Sequence, residues 1–132
     1  MSAGLAFMPR PVVAAGLGLS ANALRGLTMQ LYEIIIPVRD NAGNRWPEAI
    51  TDDWENCLLT LFGGFTRSDV QGAWIGDGGK RYDDRSYAYR VASDQDDVGS
   101  QLITSASRRF TDQEAFCVSV IGEAWIRPRE GA

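Results

Sequence analysis

Glu33, Arg90 and Glu123 are the side chains of this 132-residue sequence best suited to chemistry. A carboxylate with room to act serves as a general base, and a guanidinium beside it grips an anionic group through paired hydrogen bonds. The usual neutral-pH proton shuttle is missing, because the chain contains no histidine, and the commonest metal ligand is missing with it. Cys57 and Cys117 are the only thiols. Without a histidine to activate it, Cys117 depends on a cation such as Arg90 to become a nucleophile. As a small half-buried hydrophobe it needs no such help, and that plainer role is preferred.

Paired acids at Asp52/Asp53, Asp83/Asp84 and Asp96/Asp97 raise the question of a hard cation, which takes several oxygen ligands. They fall near predicted helix starts and strand ends, where solvated acids are ordinary, and the loop Asp40-Asn41-Ala42-Gly43-Asn44 lacks the later glutamate of an EF-hand. No metal and no cofactor are expected. Gly76-Asp77-Gly78-Gly79-Lys80 superficially resembles a phosphate loop, but it lacks the required spacing and joins two predicted strands instead of opening a helix. It reads as a turn.

Placing Glu33, Arg90 and Glu123 together requires a particular order of elements. Leu31 to Arg39 carries a β-branched centre and reads as a central strand, with Pro37 near its end where a lost amide donor costs least. From Pro47, residues Ile50, Trp54, Cys57, Leu58, Leu61 and Phe62 fall at helical spacing, and Gly63-Gly64 stops the helix. Phe65 to Ile75 and Asp84 to Ser93 flank the glycine-dense turn as a hairpin. Val98, Leu102, Ala106 and Phe110 recur every four residues in a second helix that begins near Asp96. A last strand runs from Ala115 to Arg127.

This βαββαβ order predicts an α+β, ferredoxin-like sandwich: a four-stranded antiparallel sheet, both helices on one face, and the first strand between the third and the last. The other sheet face is then left uncovered by the chain. If Tyr32, Ile34, Ile36, Phe116, Val118 and Val120 face the helices, the open face collects Glu33, Ile35, Cys117, Ser119, Ile121, Glu123 and Trp125. Arg90 joins them if Tyr87 and Tyr89 point inward, and Trp74 carries the same ambiguity of phase. Cys57 then points into the helix-sheet core, away from Cys117, so two free thiols are expected.

The segments Ile34-Ile35-Ile36-Pro37-Val38-Arg39-Asp40-Asn41, Phe62-Gly63-Gly64-Phe65-Thr66, Gly72-Ala73-Trp74, Phe110-Thr111-Asp112-Gln113-Glu114-Ala115 and Gly122-Glu123-Ala124 carry a further signal. Over residues 31–127 the chain resembles small uncharacterised bacterial proteins of ferredoxin-like α+β type. That resemblance implies the fold and supplies no catalytic residues. Related architecture in dimeric α+β barrel proteins implies paired sheets and, in some members, monooxygenase, isomerase or dechlorinating activity. The histidines that several such enzymes use have no counterpart here.

Composition narrows the partners. The formal charge is −4, and residues 1–28 hold Arg10 and Arg25 but no acid, so the rest of the chain is more negative still. Its arginines are scattered, not gathered in a stripe, which disfavours nucleic acid. Val12 to Leu19 is too short to span a bilayer, and no membrane partner is expected. Residues 1–28 read as a flexible extension ahead of one α+β domain at 29–132, in a cytoplasmic protein whose thiols stay reduced. Arg10, the apolar run and Ala21-Asn22-Ala23 would instead make an exported protein if that tract serves as a signal peptide. The expected function is a small binding or assembly domain that associates with itself through the open sheet face. The alternative is a cofactor-independent enzyme on a small organic molecule, isomerase- or monooxygenase-like, with Glu33 or Glu123 as base and Arg90 as anion holder. Its pocket would be of the dimeric α+β barrel type.

Overall fold

The β-branched run Ile34-Ile35-Ile36 lies in a strand, β1, that spans Thr28–Pro37. The computed structural model describes residues 28–126 and Arg129, so the expectation for an extension or leader falls outside the described residues. Helix α1 follows at Glu48–Phe62 and ends at Gly63, whose φ of 80° is the left-handed conformation glycine adopts without a Cβ penalty; its amide donates to the Leu59 carbonyl at 2.9 Å. Strand β2 (Thr66–Ile75), a short 3₁₀ turn (Asp77–Gly79) and β3 (Arg81–Ser93) make a long hairpin. Helix α2 (Val98–Arg109) and β4 (Cys117–Trp125) complete the chain.

All strand pairings are antiparallel and the order is β2-β3-β1-β4, so β1 lies between the third strand and the last as expected. Trp54, Leu58 and Phe62 of α1 and Val98, Leu102 and Ala106 of α2 share one core with Ile34, Ile36, Tyr89 and Val91. These sheet residues have the same parity, so both helices cover the same face. Trp54 sits at the centre of that core, with the rings of Tyr89 and Phe110 edge-on at 5.6 and 5.7 Å. Burial of such large rings is the main stabilising term here.

Two corrections concern the strands. β3 starts at Arg81, three residues before the expected Asp84, which lengthens the hairpin. β4 carries a bulge: Leu31 pairs with Gly122 but Tyr32 with Val120, so Ile121 is the extra residue and Gly122 adopts φ 152°. One extra residue reverses the side-chain alternation beyond it. Glu123 and Trp125 therefore lie opposite Gln30 and Thr28, on the helix side of the sheet, and not on the open face.

The loops at one end of the sheet are tied together. The Asn41 backbone amide donates to Asp112 Oδ2 and its side-chain amide to the Asp112 carbonyl, both at 2.7 Å. Asp40 caps its own loop by accepting from the amides of Ala42 and Asn44.

Candidate functional site

No helix among the described residues covers the other sheet face, and register settles what that face presents. Tyr87 and Tyr89 point to the helices, which sends Arg90 outward opposite Glu33. Arg90 Nε donates to Glu33 Oε2 at 2.8 Å, and both side chains are partly exposed. Thr66 lies opposite Arg90 on one side and Ser119 opposite Glu33 on the other, so one polar row crosses the whole sheet. Beside it runs Ser68, Ala88, Ile35 and Cys117. Cys117 is exposed, Cys57 is half-buried on α1, and both are free thiols.

The sequence candidates thus divide into groups. Glu33, Arg90, Ser119, Ile35 and Cys117 come together in adjacent rows. Glu123 and Trp125 are removed to the opposite side by the bulge, and Ile121 occupies the bulge itself at the sheet edge. Farther along the face, Met29, Ala92 and Ile126 form a second buried apolar cluster with Leu31 and Ala124.

Trp74 also lies on the uncovered face, but eight residues along β3 from Arg90, about 26 Å at the usual strand rise. It pairs with Tyr82, and the two rings stack with centroids 4.6 Å apart. Trp74 Nε1 donates to Asp84 Oδ2 at 2.6 Å, and the Lys80 ammonium lies 5.2 Å from the Tyr82 centroid. Trp74 and Tyr82 are nevertheless 52% and 38% exposed. The last β1–β3 pair is Pro37 with Ser86, whereas β2 and β3 stay paired to Ile75 and Arg81. Residues beyond that point form a two-stranded arm projecting past the rest of the sheet.

A cleft of about 770 Å³ lies at the base of this arm, between Arg85, Asp84 and Trp74 on one side and Arg39, Asp40 and Gln113 on the other. A second, of about 370 Å³, lies between α1 and the hairpin and is walled by Arg45, Trp46, Glu55, Arg67 and Tyr87. There Glu55 Oε2 accepts from Arg67 at 2.6 Å and from the Tyr89 hydroxyl at 2.7 Å. Burial pushes the Tyr89 phenol well above its usual pKa, and the bond to Glu55 pushes it further the same way. The guanidinium of Arg67 lies 4.6 Å above the Tyr87 ring. Sequence reasoning reads Glu55 only as an acid near the start of the first helix and gives neither it nor Tyr82 a part in a site.

Among the described residues no three acidic or thiol side chains come together as a metal cluster would require. No helix there is long and apolar enough to cross a membrane.

No family model and no curated protein matches the chain. Solved structures do. The chain is similar to a phage SAM lyase in complex with S-methyl-5'-thioadenosine, with a TM-score of 0.52 and 11% identity over 79% of this chain and 93% of that one. It is also similar to a B. subtilis GlnK–ATP complex, with a TM-score of 0.46 and 15% identity over 70% of this chain and 82% of that one. A Bacillus cereus protein related to NIF3 gives a TM-score of 0.46 and 13% identity, over 84% of this chain and 31% of that one. At such identities the likeness to the phage lyase speaks for the fold alone. Chain order, sheet order and helix placement together make this a ferredoxin-like α+β sandwich.

Proposed function

We propose that the protein is a small assembly module that associates with further copies of itself through the helix-free side of its sheet. The observation that supports this most is the Trp74–Tyr82 stack on that side, two large rings left 52% and 38% exposed. Aromatic residues of this size bring most of the energy of an interface once covered, and left in water they are a liability. Ile121, at the edge of the same sheet, is also half exposed. Multi-angle light scattering of the full chain across a concentration series tests the reading. A dimer or larger species is expected, and a strict monomer at high concentration would overturn it.

A cofactor-independent enzyme acting on a small organic molecule is the second reading, favoured by one observation, the meeting of Glu33 with Arg90. The pair satisfies its own charges, so a substrate anion must displace the Glu33 carboxylate from the guanidinium before the carboxylate is free to act as a base. A thermal-shift screen of small organic anions tests it: stabilisation lost in Arg90→Leu supports the reading, and no stabilisation by any member counts against it.

A further inference from the structure

We infer that the hairpin arm pairs edge to edge with the same arm of a second copy, in the one register centred on Tyr82. This rests on the self-association reading and names the element that performs it. Strand β3 keeps β2 on one side through Arg81, but β1 leaves its other side after Ser86. The Val38 amide donates to the Arg85 carbonyl at 3.1 Å, so the backbone groups of Arg85 point toward β1. Alternation in an antiparallel ladder aims those of Asp83 and Arg81 the same way, beyond the end of β1. Among the described residues they form an unpaired edge beside the 770 Å³ cleft.

Two copies related by a two-fold axis bring such an edge against itself in antiparallel fashion, and hydrogen bonding requires the odd-numbered residues to oppose one another. Registers centred on Arg81, Tyr82, Asp83 and Asp84 qualify, and the first sets the Arg81 guanidinium against the partner's Arg81. Centred on Asp83, the strand sets Asp83 against the partner's Asp83 and Arg81 against the partner's Arg85. Centred on Asp84, it sets two Asp84 carboxylates face to face in the close, non-hydrogen-bonded position. Like charges directly opposite one another destabilise a ladder.

Centred on Tyr82, the charges that oppose one another are of opposite sign. Arg81 faces the partner's Asp83, Lys80 faces the partner's Asp84, and the two Tyr82 rings meet on the axis. The existing Trp74–Tyr82 stacks then join into a row of four rings across a four-stranded ribbon. The arm turns back toward β2 at Lys80, whose carbonyl accepts from the Gly76 amide at 2.9 Å, so each tip leaves the ladder before it reaches the partner's Arg85, where the edge of β3 is already taken by β1. An isolated two-stranded ribbon is marginal in water, and this pairing supplies the missing neighbour.

The test uses the full chain in two ways. In a Cys117→Ser background, Tyr82→Cys is expected to form a disulfide-linked dimer under mild oxidation, because residues on the axis of a non-hydrogen-bonded pair have Cα atoms about 4.5 Å apart. Arg81→Cys, offset from its own copy, is expected to stay unlinked. Separately, Arg81→Asp should weaken the dimer ~10-fold by turning two attractive cross-strand pairs into repulsive ones, and adding Asp83→Arg to the same chain should restore it. Because Arg81 also pairs with Asp83 of its own strand at 3.0 Å, the swap is read in trans as well: Arg81→Asp mixed with Asp83→Arg should form the mixed dimer, which repair within one chain cannot produce. If the wild type associates while Tyr82→Cys stays unlinked or the swap fails to restore, the arm pairing is wrong and self-association stands. A trimeric ring also overturns the two-fold pairing. A wild type that stays monomeric overturns both.

Discussion

The Tyr89 hydroxyl donates to Glu55 Oε2 across 2.7 Å, joining α1 to β3 through a phenol that is 1% exposed. Arg67 reaches the same oxygen from β2, so one carboxylate oxygen fastens the helix to two strands. Removing only the hydroxyl leaves Glu55 its arginine, and Tyr89→Phe should cost about 1 kcal/mol. Glu55→Ala removes the acceptor of the buried hydroxyl, leaving it Arg67 alone, and takes away the counter-charge of Arg67, and should cost about 2–4 kcal/mol. Urea denaturation of the two variants beside the wild type checks the order; equal losses would contradict it.

The same bond makes stability depend on alkaline pH. Folding raises the pKa of Tyr89, through burial first and the bond to Glu55 second. Below about pH 10 the phenol is protonated in both folded and unfolded chains, and its contribution is complete. Above that the unfolded chain releases the proton while the folded chain holds it, so stability falls as pH rises toward the folded-state pKa. Stability measured from pH 8 to 11 should therefore decline more steeply for the wild type than for Tyr89→Phe. Parallel curves would refute the account.

Trp54 offers a third test. Its indole nitrogen is buried and finds no hydrogen-bond acceptor among the described residues, although the ring itself is packed edge-on by Tyr89 and Phe110. Trp54→Ala should cost about 3–5 kcal/mol, the usual range for emptying such a site. Trp54→Phe should cost less than about 2 kcal/mol, because the smaller ring keeps the edge contacts and the unpaired donor is gone. Thermal or chemical melts of both variants decide it, and a Phe variant as damaged as the Ala variant would show the nitrogen to be satisfied.

These residues show what the sequence makes legible. Trp54, Leu58 and Phe62 repeat with the helical period because one face of α1 is pressed on the sheet, and Ile34 and Ile36 alternate for the same reason. Periodicity appears where a second layer imposes it. The arm has no layer of described residues beneath it, so Arg81-Tyr82-Asp83 reads as part of the turn although its backbone is a strand. Tyr87, Tyr89 and Arg90 were ambiguous because a tyrosine suits either face. What decides the phase is Glu55, a partner thirty-four residues away that no local pattern exposes. The pairing of Glu33 with Arg90 was readable once that phase was fixed. The positions of Glu123 and Trp125 were not, since a bulge changes parity without changing hydrophobic content.

Gly122 is the residue on which that change of parity depends. Its φ of 152° lies where side-chain-bearing residues are strained, yet no atom stands within 4 Å of the place a Cβ would occupy. A substitution there meets backbone strain with no steric clash added, and Gly122→Ala should cost about 1–3 kcal/mol. The strain has a local exit. Deleting Ile121 removes the extra residue and lets position 122 return to ordinary extended geometry, while Glu123 and Trp125 keep their partners Gln30 and Thr28 and stay on the helix side. Gly122→Ala combined with that deletion should thus be more stable than Gly122→Ala alone, and Trp125 fluorescence in a chain whose other tryptophans are replaced by Phe should report unchanged surroundings. A deletion that only adds to the damage would show that the bulge is held by something other than the conformation of Gly122.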